Sequence, residues 1–109
     1  MMTGYTVDSI LHSGRRGERY SICEDFKYKG LLGYKVMLDP YSLKAGKSVH
    51  MIVLDSPEYD WWDTTMVVAA TVDTDANKLF IETVNTIYVL SEIEGQVQAV
   101  MKIPEEVLT

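Results

Sequence analysis

The sequence predicts a mainly β domain: a small antiparallel barrel, or a strongly bent sheet of five to six strands, with at most one or two short helices. Three observations carry this. Short runs of alternating or β-branched residues recur along the chain, bounded by Gly, Pro, Asn and Asp. No amphipathic stretch is long enough for the helical crossover that a parallel sheet needs. Apolar residues fill 47% of the 109 positions and charged residues 24%, enough to bury one core and too apolar for intrinsic disorder.

The elements follow in order. Residues 5–12 read as a first strand; a short helix over 6–12 competes, because Val7, Ile10 and Leu11 also fit helical spacing. Gly14 and Gly17 mark 13–18 as a turn, and 19–23 alternates as a returning strand. Together they predict a hairpin with arginines at its tip. Residues 28–38 are strand-like but broken by Gly30 and Gly33, which mark a bulge or a bend. Asp39 and Pro40 open a turn, 43–47 is a loop, and 48–55 is the clearest central strand. Residues 56–63 read as a polar loop carrying three aromatics. Strands over 64–72 and 78–84 pair across a turn at 73–77, and 86–90 is a last strong strand. The segment 95–103 fits an edge strand or a short helix, stopped by Pro104. The predicted core is Ile10, Leu11, Ile22, Leu32, Val36, Leu38, Met51, Val53, Val67, Ala69, Leu79, Ile81, Ile87 and Val89. No repeat or linker divides the chain, so residues 1–109 read as one domain.

Within this pattern the run 64–90 resembles small phage and bacterial β-barrel proteins. In those, a T-(S/T)-x-V-V strand and an acidic turn precede a T-x-N-(S/T)-x-Y-x-L strand. Thr83, Asn85, Thr86, Tyr88 and Leu90 fill the second pattern here. The resemblance implies a phage or prokaryotic accessory protein and brings no catalytic residue with it.

Charge is unevenly spread. Residues 1–50 carry eight basic and five acidic residues; residues 51–109 carry two basic and eleven acidic ones, for a net charge of −6 overall. Such asymmetry suits either solubility or a charged partner. A single cysteine, Cys23, rules out an intrachain disulfide and fits a reducing compartment. With no signal-peptide pattern at the N-terminus and no bilayer-length apolar run, the expected location is cytoplasmic, without membrane contact.

Chemistry is sparse. Asp73, Asp75 and Asn77 match the first three ligand positions of a calcium loop, but Lys78 and Val84 stand where glycine and a bidentate glutamate belong. A turn explains them. Asp55, Glu58, Asp60 and Asp63 could gather a hard cation, although a solvated acidic loop explains them as well. His12, His50 and Cys23 lack zinc-site spacing. Cys23 with either histidine is the minimum catalytic dyad, yet its alternating strand suits an inert thiol. Gly14-Arg-Arg-Gly17 is not a phosphate loop, and no G-x-S-x-G elbow occurs. No enzyme, metal or cofactor is therefore expected.

Two binding readings remain. Arg15, Arg16 and Arg19, with Lys27 and Lys29 close in sequence, suit phosphate contacts on nucleic acid, unless they pair with Glu18, Glu24 or Asp25. The net acidity opposes this. The stronger signal is Tyr59, Trp61 and Trp62, interleaved with Glu58, Asp60 and Asp63. Tyr and Trp bring large contact area at low entropy cost and concentrate at interface hot spots. Adjacent residues of an extended segment face opposite ways, so one indole is expected to close the core and the other to be left for a partner. The predicted function is a non-catalytic binding module, phage-type and accessory or inhibitory, docking on a host protein; the acidic half could mimic DNA. A homodimer is a further expectation. A nucleic-acid-binding barrel using the arginine hairpin is the alternative.

Overall fold

The computed structural model describes residues 2–93, so the expected strand or helix at 95–103 lies outside the described residues. The chain forms one antiparallel sheet of seven strands: β1 (Thr3–His12), β2 (Lys35–Leu38), β3 (His50–Val53), β4 (Trp61–Asp63), β5 (Val67–Asp73), β6 (Lys78–Thr83) and β7 (Thr86–Glu92). Their spatial order is β4-β3-β2-β1-β7-β6-β5. Two 3-10 turns, Phe26–Gly30 and Pro40–Ser42, are the helical elements among the described residues. Two expectations need correction. Among the described residues there are seven strands rather than five to six, and the sheet is not closed into a barrel, because β4 and β5 remain as edges.

β1 sits in the middle, and both of its edges are used, which favours strand over the competing helix. One edge pairs with β7 from Tyr5–Glu92 to His12–Thr86. The other is shared in sequence. Thr3 to Thr6 pair with β2, and then residues 20–23 return along its second half. There the Cys23 amide donates to Ile10 O at 3.0 Å and the His12 amide to Ser21 O at 2.8 Å. The predicted returning strand thus shrinks to an isolated bridge between Leu11 and Ile22. Tyr20, at φ 70°, breaks the extended run on one side, and Asp25, whose carboxylate accepts from the Lys27 amide, starts the 3-10 turn on the other. Bridge geometry turns Cys23 inward and leaves Ile22 69% exposed, so Ile22 is not core.

The expected strand over 28–38 is also revised. Its first half is the 3-10 turn, and Gly33, at φ +79°, turns the chain back into β2. The Gly33 amide bonds Val7 O and the Val7 amide bonds Tyr34 O, which attach this turn to β1.

A register shift in β1 between Val7 and Ser9 leaves Asp8 exposed. Its carboxylate accepts from Lys78 Nζ of β6 at 2.9 Å and from the Ser91 hydroxyl of β7. Charge-assisted bonds of this kind tie three strands together.

The link 64–66 joins β4 to β5, the two opposite edges. It is stitched down by bonds between Thr64 and Val49, by the Val84 amide to Met66 O at 3.0 Å, and by the Val67 amide to Lys47 O at 2.9 Å. The concave face holds the core: Val7, Ile10, Leu31, Val36, Leu38, Met51, Leu79, Ile81 and Leu90 are its tightest members. Ile87 and Val89 are buried as expected, but by pairing with Leu11 and Phe80 they lie on the opposite face. Ala69 is exposed. A bulge between Val67 and Ala69 shifts the alternation by one residue and sets Ala69 opposite Glu82 on the outer face. Leu11 and Leu32 are only half-buried.

Ile81, with no exposed surface, should lose about 2–5 kcal/mol of stability on replacement by Ala. Ile22→Ala should change it by no more than about 0.5 kcal/mol. Urea denaturation of the two variants checks the inversion between expected and observed core.

Candidate functional site

The segment 56–63, expected as a loop, ends in a strand. Trp61, Trp62 and Asp63 pair with Ile52, Met51 and His50 of β3. Paired residues share a face, so Trp62 joins Met51 on the core side while Trp61 and Asp63 stand outside with Ile52 and His50. One indole plugs the end of the core; the other is 58% exposed.

Trp62 is fixed on three sides. Its Nε1 donates to the Tyr88 hydroxyl at 3.1 Å, its ring lies 5.6 Å from Tyr28, and Tyr59 meets it edge-on at 5.1 Å. Burial pushes the Tyr28 and Tyr88 phenols up, so both stay neutral in this cluster at physiological pH. Tyr59 donates its hydroxyl to Lys27 O at 3.0 Å. A side chain at Gly30 would stand 2.5 Å from the Tyr59 ring, so glycine is needed for that approach. The Ser56 hydroxyl donates to Gly30 O at 2.6 Å and accepts from the Glu58 amide at 3.1 Å, which locks the loop onto the 3-10 turn.

On the outer side Trp61 stacks on His50, centroids 5.8 Å apart, and His50 Nδ1 lies 2.6 Å from Asp63. Between Trp61 and the 3-10 turn opens a groove of about 550 Å³. Tyr59, Trp61, Trp62, Glu58, Asp60 and Asp63 all line it, so every residue singled out for docking is gathered at one site. Lys27 lines it as well, with its ammonium 5.1 Å over the Tyr28 ring. The sequence had suggested Lys27 for nucleic acid. Local sequence does not place His50 with the aromatic segment; the β3–β4 register does.

The arginine turn is less unified. Arg19 grips Glu82 with both guanidinium nitrogens, at 2.7 and 3.0 Å, and donates to Ser13 O at 2.6 Å. Its partner is therefore neither Glu18, Glu24 nor Asp25, but a residue of β6. Arg15 and Arg16 are exposed on the turn, and Lys29 lies over the Phe26 ring at 5.3 Å. Arg16 lines a separate cleft of about 280 Å³ together with His12, Cys23 and Asn85. Cys23 is 4% exposed, and burial pushes its thiol up, toward the unreactive form. His50 lies on the outer face of β3, away from that cleft. Of the candidate cation ligands, Asp55 is held by Lys35, Asp63 by His50, and Asp73 accepts from the Ala76 amide within its own turn. Among the described residues no three His, Cys, Asp or Glu side chains converge. No helix among them is long and apolar enough to cross a membrane.

The chain matches no known family model, no curated protein and no solved structure.

Two measurements check this geometry. Acrylamide should quench Trp61 and leave Trp62 largely shielded, so Trp61→Phe removes the quenchable component of the fluorescence. Arg19 holds the Glu82 carboxyl below its ordinary value, through the side-chain bond first. A depressed carboxyl stabilises above its unfolded pKa and loses that effect as pH falls through the folded value. Wild type should thus melt above Glu82→Gln at pH 7, and the gap should close as the pH drops below the ordinary value of 4.5.

Proposed function

We propose that this protein is a non-catalytic binding module whose groove docks a basic segment of a partner protein, with Trp61 as the anchor. The carrying observation is an indole 58% exposed on a strand, its ring held by His50, beside a groove rimmed by acids. An exposed large aromatic on rigid backbone loses little entropy on binding. Neither Glu58 nor Asp60 has a salt bridge among the described residues, so their charge is available to steer and orient a cationic partner. An accessory or inhibitory role on a host protein, as phage-type proteins play, is the biology this reading fits. Nucleic-acid binding keeps a narrower base. It rests on Arg15 and Arg16, since the third arginine of the turn, Arg19, is committed to Glu82.

The test is affinity capture from the native host followed by titration of the captured protein. Trp61→Ala should weaken binding about thirtyfold or more, the about 2 kcal/mol of an interface hot spot. Added salt should weaken it further, and Arg15→Ala with Arg16→Ala should leave it intact. Retained capture by Trp61→Ala, or a gel shift with nucleic acid that disappears in the arginine double variant, refutes the reading.

A further inference from the structure

The sheet's second edge, β5, is built unlike β4. From Thr64 to Val72 the chain carries no charge and no proline, and β5 is seven residues long. Natural edge strands are normally kept short, charged or bent, because an open edge presents unpaired N–H and C=O groups to any extended strand. Here β6 takes one side of β5. On the other side Val67 alone is covered among the described residues, its amide bonding Lys47 O at 2.9 Å and its carbonyl accepting from the Gly46 amide at 2.9 Å. Beyond it, no backbone group of residues 68–73 on that side has a partner among the described residues.

Past Val67, the side chains of this strand are also exposed. Ala70 and Val72 pair with Ile81 and Leu79, so they share the concave face with two of the most deeply buried residues in the molecule. Ala70 is nonetheless exposed, and Val72 is 62% exposed. The apolar face of the sheet therefore runs out past the enclosed core onto an uncovered rung.

We infer that β5 pairs antiparallel with β5 of a second copy of this chain, about a two-fold axis through Thr71, and extends one sheet across both molecules. Two features select a second copy. Pairing centred on Thr71 sets Ala70 of each copy opposite Val72 of the other on the concave side, so both uncovered apolar rungs cover each other. The edge is also electrically polar along its length. It starts beside Lys44 and Lys47, which flank the Gly46 and Lys47 bonds to Val67, and it ends at Asp73 and Asp75. Antiparallel self-pairing lays the acidic end of each copy toward the basic start of the other, and a two-fold axis makes that match twice. Parallel pairing would stack Asp73 on Asp73. This surface is separate from the Trp61 groove, which lies at the β4 edge, and it stands whether or not that groove binds a partner.

The experiment is sedimentation equilibrium on the full chain. Wild type should be a dimer at micromolar concentration. Thr71 is exposed and meets its own copy at the axis, so Thr71→Lys and Thr71→Glu should each weaken the dimer about tenfold or more, while circular dichroism confirms that both fold. An equimolar mixture of the two variants should dimerise again, because the opposed charges then attract. Trp61→Ala should stay dimeric. A wild-type monomer overturns the inference, with the edge then left to a strand of the same chain or of a foreign protein. A dimer that Thr71→Lys does not weaken, or a mixture that fails to recover, overturns it equally, since the contact then lies elsewhere.

Discussion

Three residues, 64–66, join the two outermost strands of the sheet, and the shape of the molecule follows from that tether. Seven strands laid flat at about 4.8 Å spacing would place β4 and β5 roughly 29 Å apart. The chain from Asp63 to Val67 spans at most about 14 Å. The sheet has to curl, and curling gives it one inside. Right-handed strand twist helps, and the bulges in β1 and β5 add local bending where it is needed. Once curled, the concave face gathers apolar side chains from six of the strands, with Val49 and Leu31 filling in from the connections.

The aromatic groove is a by-product of the same closure. β4 has only three residues, too few to be a strand without β3 beside it. Its register, Met51 against Trp62, sends one indole into the mouth of the curled sheet and the other out. Tyr28, Tyr59 and Tyr88 surround the inner indole and make its position rigid, so the outer one inherits a fixed backbone. Anchors for binding work best when placed this way, since the ordering has already been achieved by folding. Glu58 and Asp60 face solvent, while Tyr59 between them takes the inward position.

The two edges divide the surface between them. β4 is short and flanked by charged residues, which discourages strand pairing and leaves side chains to define what can bind there. β5 is long, uncharged as far as Val72 and open along most of its length among the described residues, so its backbone is the feature a partner would read. Two ion pairs, Arg19 of the turn to Glu82 of β6 and Lys78 of β6 to Asp8 of β1, hold the convex side between them. They are partly exposed, so their role is to hold register more than to supply stability.

The sequence alone determined the all-β class, the absence of helix crossovers, most strand positions after residue 48, the turn at 73–77 and the interleaving of Tyr59, Trp61 and Trp62 with Glu58, Asp60 and Asp63. Those rest on local signals: alternation, turn residues, and aromatics interleaved with acids. Tertiary structure decided the rest. Ile22 and Ala69 look like core by their local pattern and are exposed, because a bridge and a bulge reset which face their neighbours occupy. Residues 28–34 have strand-like composition yet fold as turns, because β1 offers its edge to them only at Val7. Lys27 left the arginine cluster for the aromatic groove, and Arg19 found Glu82 sixty-three residues away. Which indole faces out, and which edge stays open, depends on strand order. Order is set by pairings between distant segments, and no local window of residues contains that information.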